Sequence, residues 1–394
     1  MLDLGGLTYP KHKTETELEH FPSVQLFLQR AQQARADFWL SYLDKTAIAR
    51  ICRLVEGMPL GIELAAAWTR TFSCRDIALE IEKSYNFLIT SLRNVPSRHR
   101  SLRAAFEHSW QLLATDERNI YRKLSVFWGG FDRASAAEVV GASALQLSSL
   151  VDKSLLRWHE PDRYEFHELL RQFAAEKLDE DSKEKYRIKT RHCKHYAAFL
   201  EEQETRLRRG EQQEALAAIS AEMDNIRAGF QWAARNSIST EFEQYCESLF
   251  LIHNMQSWFQ EGRAVFSEAV ASLRQTIACS SPVSWPLMRM LGKALVRQGV
   301  FCASLGQYEL AREIKKEGLS IFAEPDMRQK SPLSLTYLGA IAWALGQYPQ
   351  AKELCQEALV ITEEEGDRWK VALILQYLGM IAIGLGNYRQ ARDL

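Results

Sequence analysis

Long hydrophobic runs are absent from this chain of 394 residues. No segment approaches the ~20 uninterrupted apolar residues that a membrane-spanning helix needs. The first residues, Met1 to Leu7, also lack the basic stretch and apolar segment of a secretory signal. Strand-like alternation of apolar and polar residues is rare. These absences predict a cytoplasmic, non-membrane protein whose secondary structure is mainly helical.

Charge of one sign is not in excess. Lysine and arginine total 49 and aspartate and glutamate total 50, so the formal net charge is -1, and no long run of one sign occurs. Proteins that are drawn to nucleic acid or anionic membranes by their overall field need such an excess. The composition therefore argues against a protein that binds DNA first.

Cysteine pairs at metal-binding or redox spacing are also missing. The seven cysteines are an odd number, are widely scattered and form no C-x-x-C pair. This usage is typical of reduced thiols and not of a disulfide framework or a zinc site. His192 and His195 flank Cys193, but no nearby pattern supplies a third and a fourth ligand. We therefore predict no metal site.

The chain has no G-x-x-x-x-G-K segment followed by serine or threonine, and no apolar strand ends in paired acids at a suitable place. Without a phosphate cradle, its lysine and the magnesium ligands, phosphoryl transfer is not possible. No G-x-S-x-G motif or cysteine with a matching histidine context occurs either. The sequence thus predicts no catalytic residues, and the chain should not hydrolyse ATP by itself.

Apolar residues recur at helical spacing from the first convincing helix, about Ser23 to Arg35. A second helix is predicted from about Lys45 to Glu56, and a third begins at Pro59. Between them, Gly57 suits the left-handed residue past a helix end, and Pro59 suits a first helical position that needs no N–H. On helix-terminus chemistry alone, this Gly-x-Pro elbow is a tight corner. A fourth helix, Cys74 to Tyr85, has Ser73 as its N-cap.

From Ser97 the order of elements changes to several helices followed by one hairpin, which is the order of a winged helix. The hairpin is the strongest strand signal: Leu155 to Trp158, a polar turn, then Tyr164 to His167. The helix before it, Ala144 to Lys153, would read DNA in such a domain, but it carries one basic residue balanced by one acid. Direct DNA binding is therefore disfavoured.

A repeat with a period of 40 residues occupies the end of the chain. Its Gly-x-Tyr turns begin at Gly306, Gly346 and Gly386, and a second glycine set, Gly299, Gly339 and Gly379, keeps the same period. We predict helical hairpins of the tetratricopeptide type, with the first set in the inter-helix turns and the second allowing close helix approach. The tyrosine is predicted to pack over each turn. A degenerate earlier unit that includes Trp258 to Arg263 is also predicted.

Several motifs taken in order resemble the STAND signal-transduction ATPases, and within them the bacterial NB-ARC-type regulators with C-terminal tetratricopeptide repeats. The matching segments are Phe27 to Ala31, the elbow, Ser101 to Phe106, Leu124 to Phe131, Leu150 to Leu156, and Phe166-His167-Glu168. The resemblance extends over nearly the whole chain. It implies that both ends are cut, because the nucleotide-binding sheet would precede Met1 and Leu394 falls inside a repeat.

The resemblance also implies the site residues. The elbow corresponds to the Gly-Leu-Pro-Leu motif that packs on adenosine, with Met58 in place of leucine, so Met58 and Pro59 are expected at the nucleotide. Phe166-His167-Glu168 is similar to the Met-His-Asp motif, whose histidine contacts the terminal phosphate of ADP. His167 is therefore the expected phosphate contact, and Glu168 could orient loop amides or the imidazole. ADP or ATP is expected only with the missing P-loop domain.

These observations predict an all-α chain with one small wing. Its parts are a linker remnant at 1–20, a helical lid domain at 21–95, a winged-helix domain at 96–180, a helical connector at 181–238 and a tetratricopeptide-like array at 239–394. The predicted function is the regulatory portion of a STAND-type signal-transduction NTPase or transcriptional regulator, whose repeats bind a protein or peptide on their concave surface. The alternatives are a nucleotide-independent scaffold and, less favoured, sequence-specific DNA binding.

Overall fold

The computed structural model describes residues 6–11, 18–35, 38, 42–88, 101–208, 210–280, 282, 284–324, 326–327 and 331–394. The chain divides into two compact units, Met1–Ile188 and Lys189–Leu394. The predicted boundary between residues 95 and 96 lies outside the described residues, as does most of the predicted linker remnant at 1–20. The other predicted boundaries stay predictions.

Four helices open the first unit: α1 Pro22–Ala34, α2 Tyr42–Leu54, α3 Pro59–Ala67 and α4 Cys74–Lys83. Helix α1 packs on α3 and α2 packs on α4, so that Phe27, Ile51, Ile62 and Ile77 are fully buried. The predicted cap of α4 is confirmed, because the Ser73 side chain accepts a hydrogen bond from the Asp76 amide. Helix α4 ends at Lys83, where Ser84 turns extended, and not at Tyr85.

The second half of this unit surrounds a three-stranded antiparallel sheet in the order β1-β3-β2. The elements are α5 Leu102–Gln111, α6 Thr115–Leu124, β1 Phe131–Asp132, α7 Arg133–Val140, α8 Ala144–Asp152, β2 Arg157–His159, β3 Arg163–Glu165 and α9 Glu168–Asp179. The predicted hairpin forms with Trp158 opposite Tyr164. Strand β1, which pairs Phe131 with Tyr164, was not predicted because two residues carry no periodicity.

Helix α10, Ser182–Arg208, contains the boundary between the units, and α11 Gln212–Ala221 and α12 Met223–Arg235 follow. Eight further helices form consecutive antiparallel hairpins. They are α13 Ser239–Met255, α14 Phe259–Ala278, α15 Trp285–Ser304, α16 Tyr308–Ile321, α17 Pro332–Ala344, α18 Tyr348–Glu365, α19 Arg368–Gly384 and α20 Tyr388–Asp393. Helix α15 packs on α14, α16 and α17, which is the stacking of a solenoid.

The predicted all-α class is confirmed, since the regular secondary structure of the described residues is helical apart from three short strands. Among those same residues, no single helix has both the length and the apolar content needed to cross a membrane. Only α7 and α8 taken together reach that composition, and the chain bends by 110° between them. The seven cysteines are free, as their spacing predicted.

Candidate functional site

The elbow between α2 and α3 has the predicted helix-terminus geometry. Gly57 has a left-handed φ of 70°, and Pro59 is the first residue of α3. The Met58 amide donates a hydrogen bond of 2.8 Å to the carbonyl oxygen of Val55. Gly57 is required for a second reason: a Cβ there would lie 2.0 Å from the Leu7 carbonyl oxygen. Residues 6–10 therefore pack directly on the elbow.

His167 lies against this elbow although it is far from Met58 in the sequence. Its Nε2 is 3.1 Å from the same Val55 carbonyl oxygen, and its Nδ1 accepts a hydrogen bond from the Leu169 amide. Nδ1 is thus the unprotonated nitrogen, and Nε2–H is the donor. The side chain is buried, and burial lowers its pKa even though Glu56 acts in the opposite direction. His167 is a neutral donor held on the elbow.

Of the predicted nucleotide-binding residues, the structure brings the Met58 backbone and the His167 side chain onto one oxygen atom. Pro59 is exposed beside them at the start of α3. The role of all three toward a nucleotide stays a prediction.

Two residues that the sequence reasoning missed complete this junction. One carboxylate oxygen of Glu56 is 2.6 Å from Arg157 Nη1 on β2, and the other accepts a hydrogen bond of 2.9 Å from the Glu168 amide at the start of α9. The same carboxylate is 3.8 Å from His167 Nδ1. Glu56 therefore joins the elbow, the hairpin and α9 through one side chain.

Glu168 does not have the orienting role that its position in the motif suggested. Its carboxylate makes a two-point contact with Arg171, at 2.8 Å for each oxygen, because the two residues are one helical turn apart. It is Glu56 that accepts the Glu168 amide. The position of Glu56 directly before the elbow is a sequence signal that could have marked it as a site residue. Nothing in the neighbouring sequence indicates that its side chain contacts residues more than 100 positions away.

A cavity of about 480 Å³ lies next to this junction, lined by Gly6, Leu7, Thr8, Tyr9, Lys11, Phe21, Glu56 and Arg157. This volume is within the range of small-molecule sites. Two cationic side chains and two aromatic rings are the groups that suit a phosphate and a planar base. Burial, followed by the charge of Glu56, raises the pKa of Tyr9, so its hydroxyl stays protonated at neutral pH.

The second unit contains a buried ion pair between α13 and α15. Arg297 is fully buried, pairs with Glu247 and donates to the Lys293 carbonyl oxygen at 2.9 Å. Its guanidinium carbon lies 5.1 Å from the ring centre of Tyr337 on α17. One turn earlier, Glu243 pairs with both Arg289 and Lys293 at 3.0 Å. These ion pairs join α13 to α15, although the buried Arg297 Nε has no hydrogen-bond partner among the described residues.

In the described part of the chain, no group of three or more His, Cys, Asp or Glu side chains is placed so that it could hold a metal ion. His192 and His195 are therefore not part of such a group. His192 is buried with its Nε2 3.2 Å from Asn225 Oδ1. Burial lowers its pKa to about 4, so the ring is neutral at physiological pH.

Comparison with known proteins places a recognised repeat in the array. Residues 332–394 match the tetratricopeptide repeat family. These residues are α17 to α20, so the two hairpins predicted from Gly346 and Gly386 are tetratricopeptide repeats. The preceding hairpins, α13 to α16, have the same architecture in the structure.

Two curated relatives from Mycobacterium tuberculosis match the chain. One, named "Putative HTH-type transcriptional regulator", is 32% identical over 262 residues, which are 64% of this chain and 29% of that protein. The other, named as an uncharacterized protein, is 32% identical over 185 residues, which are 44% of this chain and 47% of that protein. The chain thus spans less than half the length of either relative.

One solved structure that matches is a Signal Transduction ATPase with Numerous Domains protein with a tetratricopeptide repeat sensor, from Pyrococcus horikoshii. It shares 17% identity over 95% of this chain and 53% of that chain, with a TM-score of 0.35.

Proposed function

We propose that this chain is the regulatory portion of a cytoplasmic STAND-type signal-transduction NTPase or transcriptional regulator. The observation that carries the proposal is that the elbow and His167, two motifs far apart in sequence, meet at the Val55 carbonyl oxygen. A nucleotide sensor built from two parts needs both parts at one place. The relative named as a transcriptional regulator and the tetratricopeptide repeats support a regulatory role.

In this proposal the chain's residues hold ADP supplied with a P-loop domain, since the chain itself has no phosphate cradle. Pro59 and Met58 would contact the adenosine, and the neutral His167 would donate Nε2–H to a phosphate oxygen in place of the Val55 carbonyl. Arg157 and Lys11 lie in the adjoining cavity with charges that suit the phosphates. Partner binding on the repeats would then favour the state without ADP.

The test joins a P-loop domain to the chain and measures ADP affinity by calorimetry. We expect His167→Ala and Pro59→Ala each to weaken binding by about tenfold, which corresponds to one lost hydrogen bond or apolar contact. His159→Ala, on the exposed hairpin, is the matched control and should leave the affinity unchanged. Equal affinity of all four proteins would show that the elbow and His167 do not sense nucleotide.

The second candidate function is a nucleotide-independent scaffold, favoured by the tetratricopeptide match at residues 332–394. A partner that copurifies with the full chain distinguishes the two functions. The scaffold is the correct function if two results are obtained. Residues 182–394 must capture that partner as strongly as the full chain, and ADP must not change partner capture by the protein with a restored P-loop domain.

DNA binding through α8 is the third candidate, and the structure supplies an argument against it. The one basic residue of that region, Lys153, is ion-paired at 2.6 Å with Glu117, and the apolar side chain of Leu145 on the same helix is 83% exposed. Specific DNA binding requires several free cations on the reading helix. We expect residues 97–180 to show no salt-dependent affinity for duplex DNA in a fluorescence anisotropy titration.

A further inference from the structure

The backbone of Glu56 has a conformation that is uncommon for a residue other than glycine. Its φ is 44°, a left-handed value that only a few per cent of residues other than glycine adopt, and Gly57 follows it with a second positive φ. This backbone aims the Glu56 side chain at β2 and α9, where 17% of its surface stays exposed. The carboxylate also lines the cavity of about 480 Å³.

The groups around this carboxylate are those that bind a phosphate. Arg157 contributes a guanidinium at 2.6 Å, and the Glu168 amide contributes a hydrogen bond at 2.9 Å. Lys11 lines the same cavity. The neighbouring carboxylates of Glu165 and Glu168 are engaged with His159 and Arg171, respectively. Glu56 is therefore the side chain that neutralises Arg157 here.

We infer that Glu56 is an internal latch: its carboxylate occupies the position between Arg157 and the Glu168 amide, and this keeps an oxyanion of phosphate type out of that position. The inference rests on the proposed function, since it describes how the same junction is regulated. An anion entering from the cavity must displace Glu56, which removes one link between the elbow and α9 and leaves another, the His167 contact with Val55. The latch thus couples anion binding to loss of the Glu56 contacts with the hairpin and α9.

The test uses the full chain without a P-loop domain and inorganic pyrophosphate as the probe. Glu56→Gln keeps the size of the side chain but removes the competing charge, so calorimetry should show pyrophosphate binding at least tenfold tighter than in the wild type. Glu63→Gln is the matched control, because it removes the same charge from a pair with Arg30 at 3.0 Å outside the junction. It should leave the affinity unchanged.

A double variant, Glu56→Gln with Arg157→Gln, should lose the gain. Glu56→Asp adds a test that retains the charge, because the shorter side chain cannot reach both partners and should also bind pyrophosphate more tightly than the wild type. The latch is wrong if neither Glu56 variant binds more tightly, or if the gain persists without Arg157. These results leave the ADP test of the proposed function unaffected, since that test depends on His167 and Pro59 in a chain with its P-loop.

Discussion

Burial keeps the rings of His167 and His192 neutral, because it lowers the pKa of both side chains. His167 accepts the Leu169 amide at Nδ1, so protonating that nitrogen would remove the N-cap of α9. His192 is fully buried next to Asn225, which in turn donates to Glu222 at 2.8 Å. Charging either ring would place a cation in a low-dielectric interior.

His192 gives a pH dependence with a definite sign. Its pKa is about 4 in the folded chain, against 6.5 for the ordinary side chain. The unfolded state therefore binds more protons between these values, so the stabilisation is complete above pH 6.5 and is lost as the pH falls toward 4. The shift corresponds to about 3 kcal/mol.

The measurement is the urea midpoint of the repeat-containing unit from pH 7.5 to pH 4. We expect His192→Gln to be less stable at neutral pH and to lose less stability on acidification than the wild type. His159→Gln, whose side chain is exposed on β2, should follow the wild-type curve. Parallel curves for the wild type and His192→Gln would contradict the assignment of this titration to His192.

At the scale of elements, the hairpin turns share one backbone geometry. The residue after Gly306, Gly346 and Gly386 has nearly the same φ and ψ in each turn, and its amide bonds to a carbonyl five residues earlier at 2.8 to 2.9 Å. The turn between α13 and α14 repeats this geometry with Ser257, φ 56°, where the others have glycine. The degenerate unit predicted near Trp258 is thus confirmed as a hairpin.

The predicted packing of the turn tyrosines is only partly correct. Tyr308 and Tyr388 are exposed, whereas the Tyr348 ring lies against Gly384 of α19, 2.7 Å from where a Cβ would be. The Tyr348 ring therefore contacts the next hairpin. Sequence periodicity identifies the position, but the neighbouring hairpin decides what it touches.

The three glycines of the second set, Gly299, Gly339 and Gly379, have equivalent positions in the repeat but different packing. A Cβ at Gly299 would lie 2.7 Å from Ile341 Cδ1, and one at Gly339 would lie 2.6 Å from Cys355 Sγ. At Gly379 the nearest atom is the Ala391 carbonyl oxygen at 3.9 Å. We expect Gly299→Ala and Gly339→Ala to cost about 1–3 kcal/mol through overpacking. Gly379→Ala should gain up to ~1 kcal/mol through helix propensity.

Chemical denaturation of the three variants, followed by circular dichroism, measures these free energies of unfolding. Gly346→Ala serves as a control for backbone strain alone, because its φ is 73° and nothing lies within 4 Å of the added Cβ. If all three helix glycines respond alike, then close approach between helices is not the reason why glycine repeats every 40 residues at this position.

At the scale of the whole molecule, the chain consists of two compact units, each with its own core. In the first, Glu117 joins α6 to α8 through Lys153 and Ser149, and it accepts the Ala114 amide at 2.8 Å. These hydrogen bonds, with that to Lys153 the strongest, lower the pKa of Glu117 to about 2. In the second, the Gly339 contact holds α17 against α18.

Variants of Glu117 and Gly339 test whether the two units unfold independently. Glu117→Gln should cost about 1–2 kcal/mol, because charged hydrogen bonds are lost, and should shift one calorimetric transition. Gly339→Ala should shift the other, and the double variant should show both shifts unchanged, since distant sites are additive. A single transition that moves with either variant would show that the two units unfold together.

The sequence by itself determined the elements and their local chemistry. Helix ends near Ser73 and Pro59, the elbow at Gly57, the hairpin and the period of 40 residues all depend on interactions within a few positions, or on a repeated pattern. They could be predicted for that reason. The pair of Met58 and His167 was identified only through its resemblance to a family.

The tertiary structure alone decided which of these residues meet. Glu56 and Arg157 were missed because their contact spans 101 positions and leaves no local signature. Gly299 and Gly379 have the same place in the repeat, yet only the first has a side chain packed against it. Repeat period and helix propensity are properties of one segment of the chain. Burial, ion pairing and close approach depend on which distant segment packs against it.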